Sequence, residues 1–413
     1  MDSYINNINF FEGNNPEKII QDFGTPLYVY NEKIIRQHMK NVAQVITKYP
    51  YTANYSVKAN TNIHILKLAL EEGNNCDAMS IGELQMLLKA GFPTDRIFFV
   101  PNNVSKEELQ FAIDKNIMTS LDSLSQLELY CSLNPHGKCA VRINPGVGAG
   151  HCEKVVTGGK KTKFGISEDD IPHIFAITKK YNVTIVGINQ HIGSLFMNPQ
   201  PYLDAVSNLL RIAQQFTNLE FIDLGGGYGI PYHKLQDEKD FPMEEFSAKL
   251  EVLLDNFVKE YGSTPLFKSE PGRYCVAEGG VILGKVWAVK ENAGKTYIGT
   301  DIGMNVLLRP SMYESWHDIE IIRNGKVLPR TELQEATVTG NICESGDILA
   351  KDRPLPPTQE GDIVCVLDAG AYGYSMCSSY NCRPRPAEIM ICADGSVKQI
   401  RPRETIEDLM RYF

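Results

Sequence analysis

Lys58 closes the run Ala53-Asn54-Tyr55-Ser56-Val57-Lys58, in which Ala53, Tyr55 and Val57 alternate with Asn54, Ser56 and Lys58. A period-two pattern of this kind reads as a β-strand carrying Lys58 on its small, polar face, with a helix to follow. An amine held rigidly there suits Schiff-base chemistry with a carbonyl; taken singly, a strand-end lysine is more often a solvated ammonium. The company it keeps favours chemistry. Polar residues recur at the ends of apolar runs: Asp77, Asn102, Arg142 with Asn144, His191, Asp223 ahead of Gly225-Gly226-Gly227, and Glu270-Pro271-Gly272-Arg273. Core packing accounts for one or two such groups, whereas so many need a ligand or one another. The run Gly225-Gly226-Gly227-Tyr228-Gly229 would open backbone amides to a phosphate, and it equally suits a sharp turn after a strand. No Gly-Lys-Ser/Thr ending follows and the spacing is not that of a dinucleotide fingerprint, so neither nucleotide motif is present.

These residues need elements to place them. Apolar, β-rich segments fall at 53–58, 75–79, 97–100, 117–121, 138–143, 184–190, 219–224 and 266–269. Helical patterns lie between them, around 82–88, 107–113 and 202–215, with Ser80, Ser105 and Asp122 as capping candidates. Strand-helix alternation predicts a parallel sheet with helical crossovers, and eight units predict closure into a (β/α)8 TIM-type barrel, an α/β fold; a doubly wound open sheet is the alternative. The chemical residues would then stand where barrel enzymes keep theirs, at the C-terminal ends of the strands. Two interruptions, at 146–163 and 225–242, are long enough to cover that mouth.

From about residue 276 the texture changes to short β-like runs at 280–289, 295–300, 336–340 and 362–367, expected to form a mostly antiparallel β domain. Leu27-Tyr28-Val29-Tyr30 has no helix ahead of it to complete a barrel unit, so residues 1–33 are expected to join that β domain. The barrel is expected over 34–275 and the β domain over 276–413.

A chain of 413 residues with 43% apolar composition suits a barrel and a smaller companion. Its net charge of −9, with scattered lysines, offers no basic surface for nucleic acid. No signal-peptide pattern or membrane-length apolar run is present, which points to the cytoplasm and away from membranes. The ten cysteines then read as reduced thiols, and they show no metal-ligand spacing.

Six motifs, in order, resemble those of the fold-type III, pyridoxal-phosphate-dependent amino-acid decarboxylases. They are Tyr55-Ser56-Val57-Lys58-Ala59-Asn60, His191-Ile192-Gly193-Ser194, the glycine run, Glu270-Pro271-Gly272-Arg273, Cys343-Glu344-Ser345-Gly346-Asp347 and Gly370-Ala371-Tyr372-Gly373. The resemblance spans roughly residue 20 to the C-terminus. It implies an alanine-racemase-like barrel with a β domain, and a homodimer whose active sites share residues. Pyridoxal 5'-phosphate would be attached to Lys58, stacked on by His191 and faced at its ring nitrogen by Glu270. Gly225, Gly226, Gly227, Gly272 and Ser194 would hold the phosphate end, with Asp77, Arg273 and Tyr372 also near the cofactor. Cys343 would donate a proton. Arg273, Arg309, Tyr313, Glu344 and Tyr372 would contact the substrate.

The implied reaction converts meso-2,6-diaminopimelate to L-lysine and carbon dioxide. Such a substrate needs a cation for its distal carboxylate and an anion for its distal ammonium, which arginine and glutamate supply. The alternatives are decarboxylation of another basic amino acid, ornithine or lysine of either configuration, and a non-catalytic binding relative. A racemase fits Cys343-Glu344 with Arg309 and Tyr313 less well. One local departure accompanies the resemblance, Cys382 where a small residue such as serine is expected; the loop Phe196-Met197-Asn198-Pro199 differs among related decarboxylases and bears on the exact substrate.

Overall fold

The computed structural model describes residues 3–146, 159 and 162–413; most of the 146–163 interruption therefore lies outside the described residues. The chain divides into two units, one of His38–Ile230 with Phe241–Cys275 and one of Met1–Gln37, Pro231–Asp240 and Val276–Phe413. The second interruption is thus split, with 231–240 grouped with the β-rich unit.

In the first unit eight parallel strands close into a barrel: Tyr51–Ser56, Asn75–Ala78, Ile97–Phe99, Met118–Leu121, Lys138–Arg142, Thr184–Asn189, Phe221–Asp223 and Leu266–Ser269. The open sheet is excluded because the first strand pairs with the last, Tyr51 opposite Phe267 and Ala53 opposite Ser269. Helices Ile81–Ala90 and Lys106–Asp114 start where their caps dictate: the Ser80 and Ser105 side chains accept the backbone N–H three residues on. Asp122 does not cap. Ser123 caps the next helix, Leu124–Leu133, and Asp122 instead accepts a hydrogen bond from Asn102.

Each barrel strand alternates between two environments. Outward residues such as Val141, Ile188 and Ile222 pack under the helices with Leu127, Ile174, Leu209 and Leu254. Inward residues are apolar at one end, where Phe98, Val100, Ala140, Val186 and Phe221 cluster. They turn polar towards the C-terminal ends. Arg142, Asn189, Asp223 and Lys268 are successive register partners across four adjacent strands. Asp223 accepts hydrogen bonds from Asn54 Nδ2 at 3.1 Å and from the Gly225 N–H at 2.9 Å. Ser120 bonds Asn189 at 2.6 Å. Gly187 has no side chain because a Cβ there would lie 2.2 Å from the Phe221 ring.

The second unit is built on a ten-stranded sheet. Its first strand, Leu27–Asn31, is central, antiparallel to Gly280–Asn292 and parallel to Ala387–Ile391. Leu27 and Val29 enter a core with Val281, Leu283, Ile363 and Ile389, while Tyr28 and Tyr30 bury the opposite face. Their hydroxyls are satisfied there, by Val306 O at 2.6 Å and Glu388 at 2.7 Å. The sheet is mostly antiparallel, with a second parallel pairing between Lys295–Thr300 and Gln334–Thr339. Lys234 sits in this unit at 4% exposure, donating to Asp368 at 2.8 Å and paired with Glu278 at 2.9 Å. Among the described residues no helix is long and apolar enough to cross a membrane.

Buried charge should weigh on stability far more than exposed charge does. Lys234→Met leaves Asp368 and Glu278 without their shared cation, so it should cost about 3–5 kcal/mol in denaturant unfolding. Lys18→Met, at the exposed Lys18–Asp22 pair, should cost less than about 0.5 kcal/mol. Burial pushes the Asp223 carboxyl from 3.8 up to about 7, against the opposing pull of the Gly225 N–H and Lys268. A raised folded value means its stabilising contribution is complete below the unfolded pKa and is lost as pH rises towards the folded one. Asp223→Asn has no such loss, so wild-type stability relative to this variant should fall by on the order of 3 kcal/mol between pH 4 and pH 8. A pH-independent difference in thermal unfolding would contradict this.

Candidate active site

The first barrel strand ends at Ser56, two residues earlier than its alternation suggests, and Lys58 lies in a single 3-10 turn, Val57–Ala59. That turn is fixed from both sides. The Ser56 N–H donates to Pro271 O at 2.9 Å, and the Ser56 hydroxyl donates to Asp77 at 2.6 Å. Tyr55 reaches forward to Asn60 O at 2.9 Å. The alternation still has its predicted effect, since Asn54 and Ser56 carry the polar hydrogen bonds while Ala53, Tyr55 and Val57 are buried hydrophobes.

Near the Lys58 turn stand two buried carboxylates, Glu270 and Asp77. Glu270 is 4% exposed, and among the described residues its Oε1 has no hydrogen-bond partner. Burial, then Asp223 and Asp77, push its pKa well above the ordinary value, while Lys58 and Arg142 pull the other way. Asp77 is likewise raised by burial and opposed first by Lys58. Its Oδ2 also lacks a partner among the described residues. Arg142 is buried beneath the Phe164 ring, 4.6 Å from its centroid, and burial lowers its pKa against the pull of Glu270, Asp122 and Asp77. An uncompensated acceptor such as Glu270 Oε1 is costly in a buried site and calls for a donor.

His191 is held in one tautomer. Its Nδ1 accepts the Gly226 N–H at 3.3 Å, so the ring proton belongs on Nε2. Burial, then the Lys58 and Arg142 charges, push its pKa well below 6.5, leaving a neutral, flat imidazole. Arg273, 4% exposed, donates to the Ser194 hydroxyl at 2.9 Å and so joins the ends of the sixth and eighth strands.

The glycines have a structural reason of their own. A Cβ on Gly226 would lie 1.7 Å from Glu270 O, and one on Gly225 would lie 2.3 Å from Gln190 O. The Glu270 N–H donates to Gly225 O at 3.0 Å, so these strand ends meet backbone to backbone. Gly225 and Gly227 also have φ of 79° and 116°, which favour glycine. Asn102 and Asn144 behave differently from the other strand-end groups. Asn102 bonds Asp122, and Asn144 ties its own loop, donating to Gly159 O at 3.0 Å and Phe164 O at 3.2 Å.

The remaining candidates belong to the β-rich unit. The Cys343 N–H donates to Asn381 Oδ1 at 3.0 Å, and Asn381 Nδ2 lies 3.1 Å from the exposed Cys343 thiol. Glu344 accepts the Tyr380 hydroxyl. The cysteine-glutamate turn is therefore clipped to Tyr380-Asn381, residues whose role the sequence did not disclose. Arg309 opens the helix Arg309–Tyr313 and is 1% exposed. Tyr372, two residues after Gly370, has a left-handed conformation, φ 55°. Sequence reasoning set Asn54 and Ser56 on the polar face with Lys58 without giving them a task, and it missed Lys268 and Lys234, which nothing local marks.

Comparison with known proteins gives this arrangement a family. Residues 32–277 match the model of the pyridoxal-dependent decarboxylase, pyridoxal binding domain. The chain is 40% identical over 403 residues to a diaminopimelate decarboxylase of Methanothermobacter thermautotrophicus, covering 95% of this chain and 92% of that one. Its structure is similar to that of Helicobacter pylori diaminopimelate decarboxylase complexed with L-lysine, with a TM-score of 0.88, 32% identity, and coverage of 96% and 98% of the two chains. A lysine/ornithine decarboxylase from Vibrio vulnificus, complexed with putrescine, shares the fold at 22% identity and a TM-score of 0.78, over 92% of this chain and 97% of that one. The chain belongs to the pyridoxal-dependent decarboxylases, and within them to the diaminopimelate decarboxylase family.

Proposed function

We propose that this protein decarboxylates meso-2,6-diaminopimelate to L-lysine and carbon dioxide, with pyridoxal 5'-phosphate held through Lys58. The observation that carries the reading is the buried, unpartnered Glu270 Oε1 among Asp77, Asp223 and Lys58 in a chain 40% identical to a diaminopimelate decarboxylase. An acceptor in that state suits a cationic ring nitrogen, which would restore the ionised carboxylate. The residues fit the cofactor in other respects. Lys58 stands on a fixed turn, His191 offers a neutral flat ring, and Ser194, Arg273 and the glycine-run backbone gather at neighbouring strand ends.

When bound, pyridoxal phosphate supplies an electron-accepting ring that takes up the electron pair left by a departing carboxylate. The chain's own residues have separate tasks. Glu270 would hold the proton relation at the ring nitrogen, and Asp77 would bias the Lys58 amine through charge. Gly225, Gly226, Gly227, Gly272 and Ser194 would bind the phosphate end, with Tyr372 also near the cofactor. Cys343 Sγ would deliver the proton to the substrate carbon that lost its carboxylate. Arg273, Arg309, Tyr313, Glu344 and Tyr372 would bind and orient the substrate, the guanidinium of Arg309 gripping the distal carboxylate and Glu344 the distal ammonium. A homodimer is part of this proposal, carried by the family resemblance.

Ornithine or lysine as substrate would leave an arginine built for a carboxylate unpaired, a loss of several kcal/mol in a dry site. Turnover of meso-diaminopimelate, L-lysine and D-ornithine should therefore be compared by carbon dioxide release. Diaminopimelate should exceed both others by at least about 100-fold in kcat/KM. Ornithine ahead by tenfold would overturn the substrate assignment, and no carbon dioxide from any of them would overturn the reaction.

A further inference from the structure

The Arg309 guanidinium is held by an apparatus that belongs to no motif. Its Nη1 lies 2.5 Å from His317 Nε2, and the Tyr232 ring centroid lies 4.7 Å from its Cζ. His317 is wholly buried. Its Nδ1 lies 2.7 Å from Leu367 O, and its ring meets Tyr232 edge-on at 5.2 Å and 80°. The backbone beside it is pinned too, because the Leu367 N–H returns to Asp318 O at 2.9 Å.

The two polar partners fix the chemistry of this imidazole. A carbonyl oxygen only accepts, so Nδ1 carries the hydrogen; a guanidinium only donates, so Nε2 presents its lone pair. Both bonds are made together only by the neutral Nδ1–H form. The imidazole is thereby a rigid acceptor aimed at one nitrogen of a planar, five-donor fork. Holding one nitrogen on His317 and seating the guanidinium carbon 4.7 Å from the Tyr232 ring centroid restricts the rotation of the fork. Two-point recognition of a carboxylate depends on that plane being set beforehand.

We propose that His317 is a positioning residue that orients Arg309 for the carboxylate at the far end of the amino-acid ligand. The proposal rests on the reading of Arg309 given under Proposed function, and it extends substrate selection to a side chain that need not touch the substrate. It separates two ligands by chemistry. L-lysine, the product, keeps the carboxylate that decarboxylation leaves untouched, whereas 1,5-diaminopentane has none.

The test compares the cofactor-loaded wild type with His317→Leu and His317→Gln. Glutamine keeps an acceptor oxygen near the Nε2 position; leucine keeps bulk without one. His317→Leu should raise KM for meso-diaminopimelate about tenfold to a hundredfold, with kcat within about threefold. Inhibition by L-lysine should weaken in parallel, while inhibition by 1,5-diaminopentane should change less than about twofold and the cofactor absorbance stay as in wild type. His317→Gln should recover most of the loss. If the leucine variant does not fold, His317→Asn, whose amide is too short to reach Arg309, replaces it in the same comparison with glutamine. Equal weakening of both inhibitors, or a fall in kcat at unchanged KM, would reduce His317 to a general structural role and overturn the proposal. A wild-type enzyme that does not turn over meso-diaminopimelate would instead sink the functional reading, and would do so before any variant is made.

Discussion

A carboxylate removed from water must find positive charge, collect hydrogen bonds or keep its proton. The barrel places three of them, Asp77, Asp223 and Glu270, among its inward strand ends and answers with Lys58, Arg142 and Lys268. The match is incomplete by design of the residues themselves. Asp223 is tied by Asn54 and Gly225, and one oxygen of Asp77 by Ser56, but among the described residues the other Asp77 oxygen and Glu270 Oε1 have nothing to accept from. An acidic cluster that is nearly but not wholly balanced has room for one more cation, and a protonated heterocycle is one.

The rest of the barrel serves that imbalance. Backbone contact between the seventh and eighth strand ends, possible only with glycine at 225 and 226, brings Glu270 beside the glycine loop. The same loop sets the His191 tautomer through Gly226, so the group expected to stack on the ring and the group expected at its nitrogen are positioned by a single turn. The β-rich unit uses the same economy of means: its first strand is buried on both faces, and a buried imidazole or lysine fixes an arginine or a turn.

The barrel strands were legible because period-two alternation and turn residues are local properties, and seven of the chemical positions are simply where those runs stop. Lys58 shows the limit of that reasoning. Its alternation continues for two residues after the hydrogen-bonded strand has ended, since side-chain parity alone does not mark where the ladder partners run out. Asp122 misled for a similar reason: Asp and Ser both cap helices, and only Asn102, twenty positions away, decided which did. The short strands 319–323, 348–355, 387–391 and 397–401 carried no clean alternation, and the pairing of 27–31 with 387–391 joins the two ends of the chain. Lys234 and His317 were invisible, and the bond from Asn381 to Cys343 unforeseen, because their partners lie far off in sequence.

The central claim is that the Glu270 carboxylate keeps an electron-accepting ring charged. Glu270→Gln retains the shape and removes the charge, so the most direct measurement is single-turnover decarboxylation of meso-diaminopimelate by this variant after cofactor loading. The account predicts retained cofactor and a rate reduced about 100-fold or more, with substrate affinity little changed. A loaded variant that decarboxylates within about fivefold of the wild-type rate would contradict it.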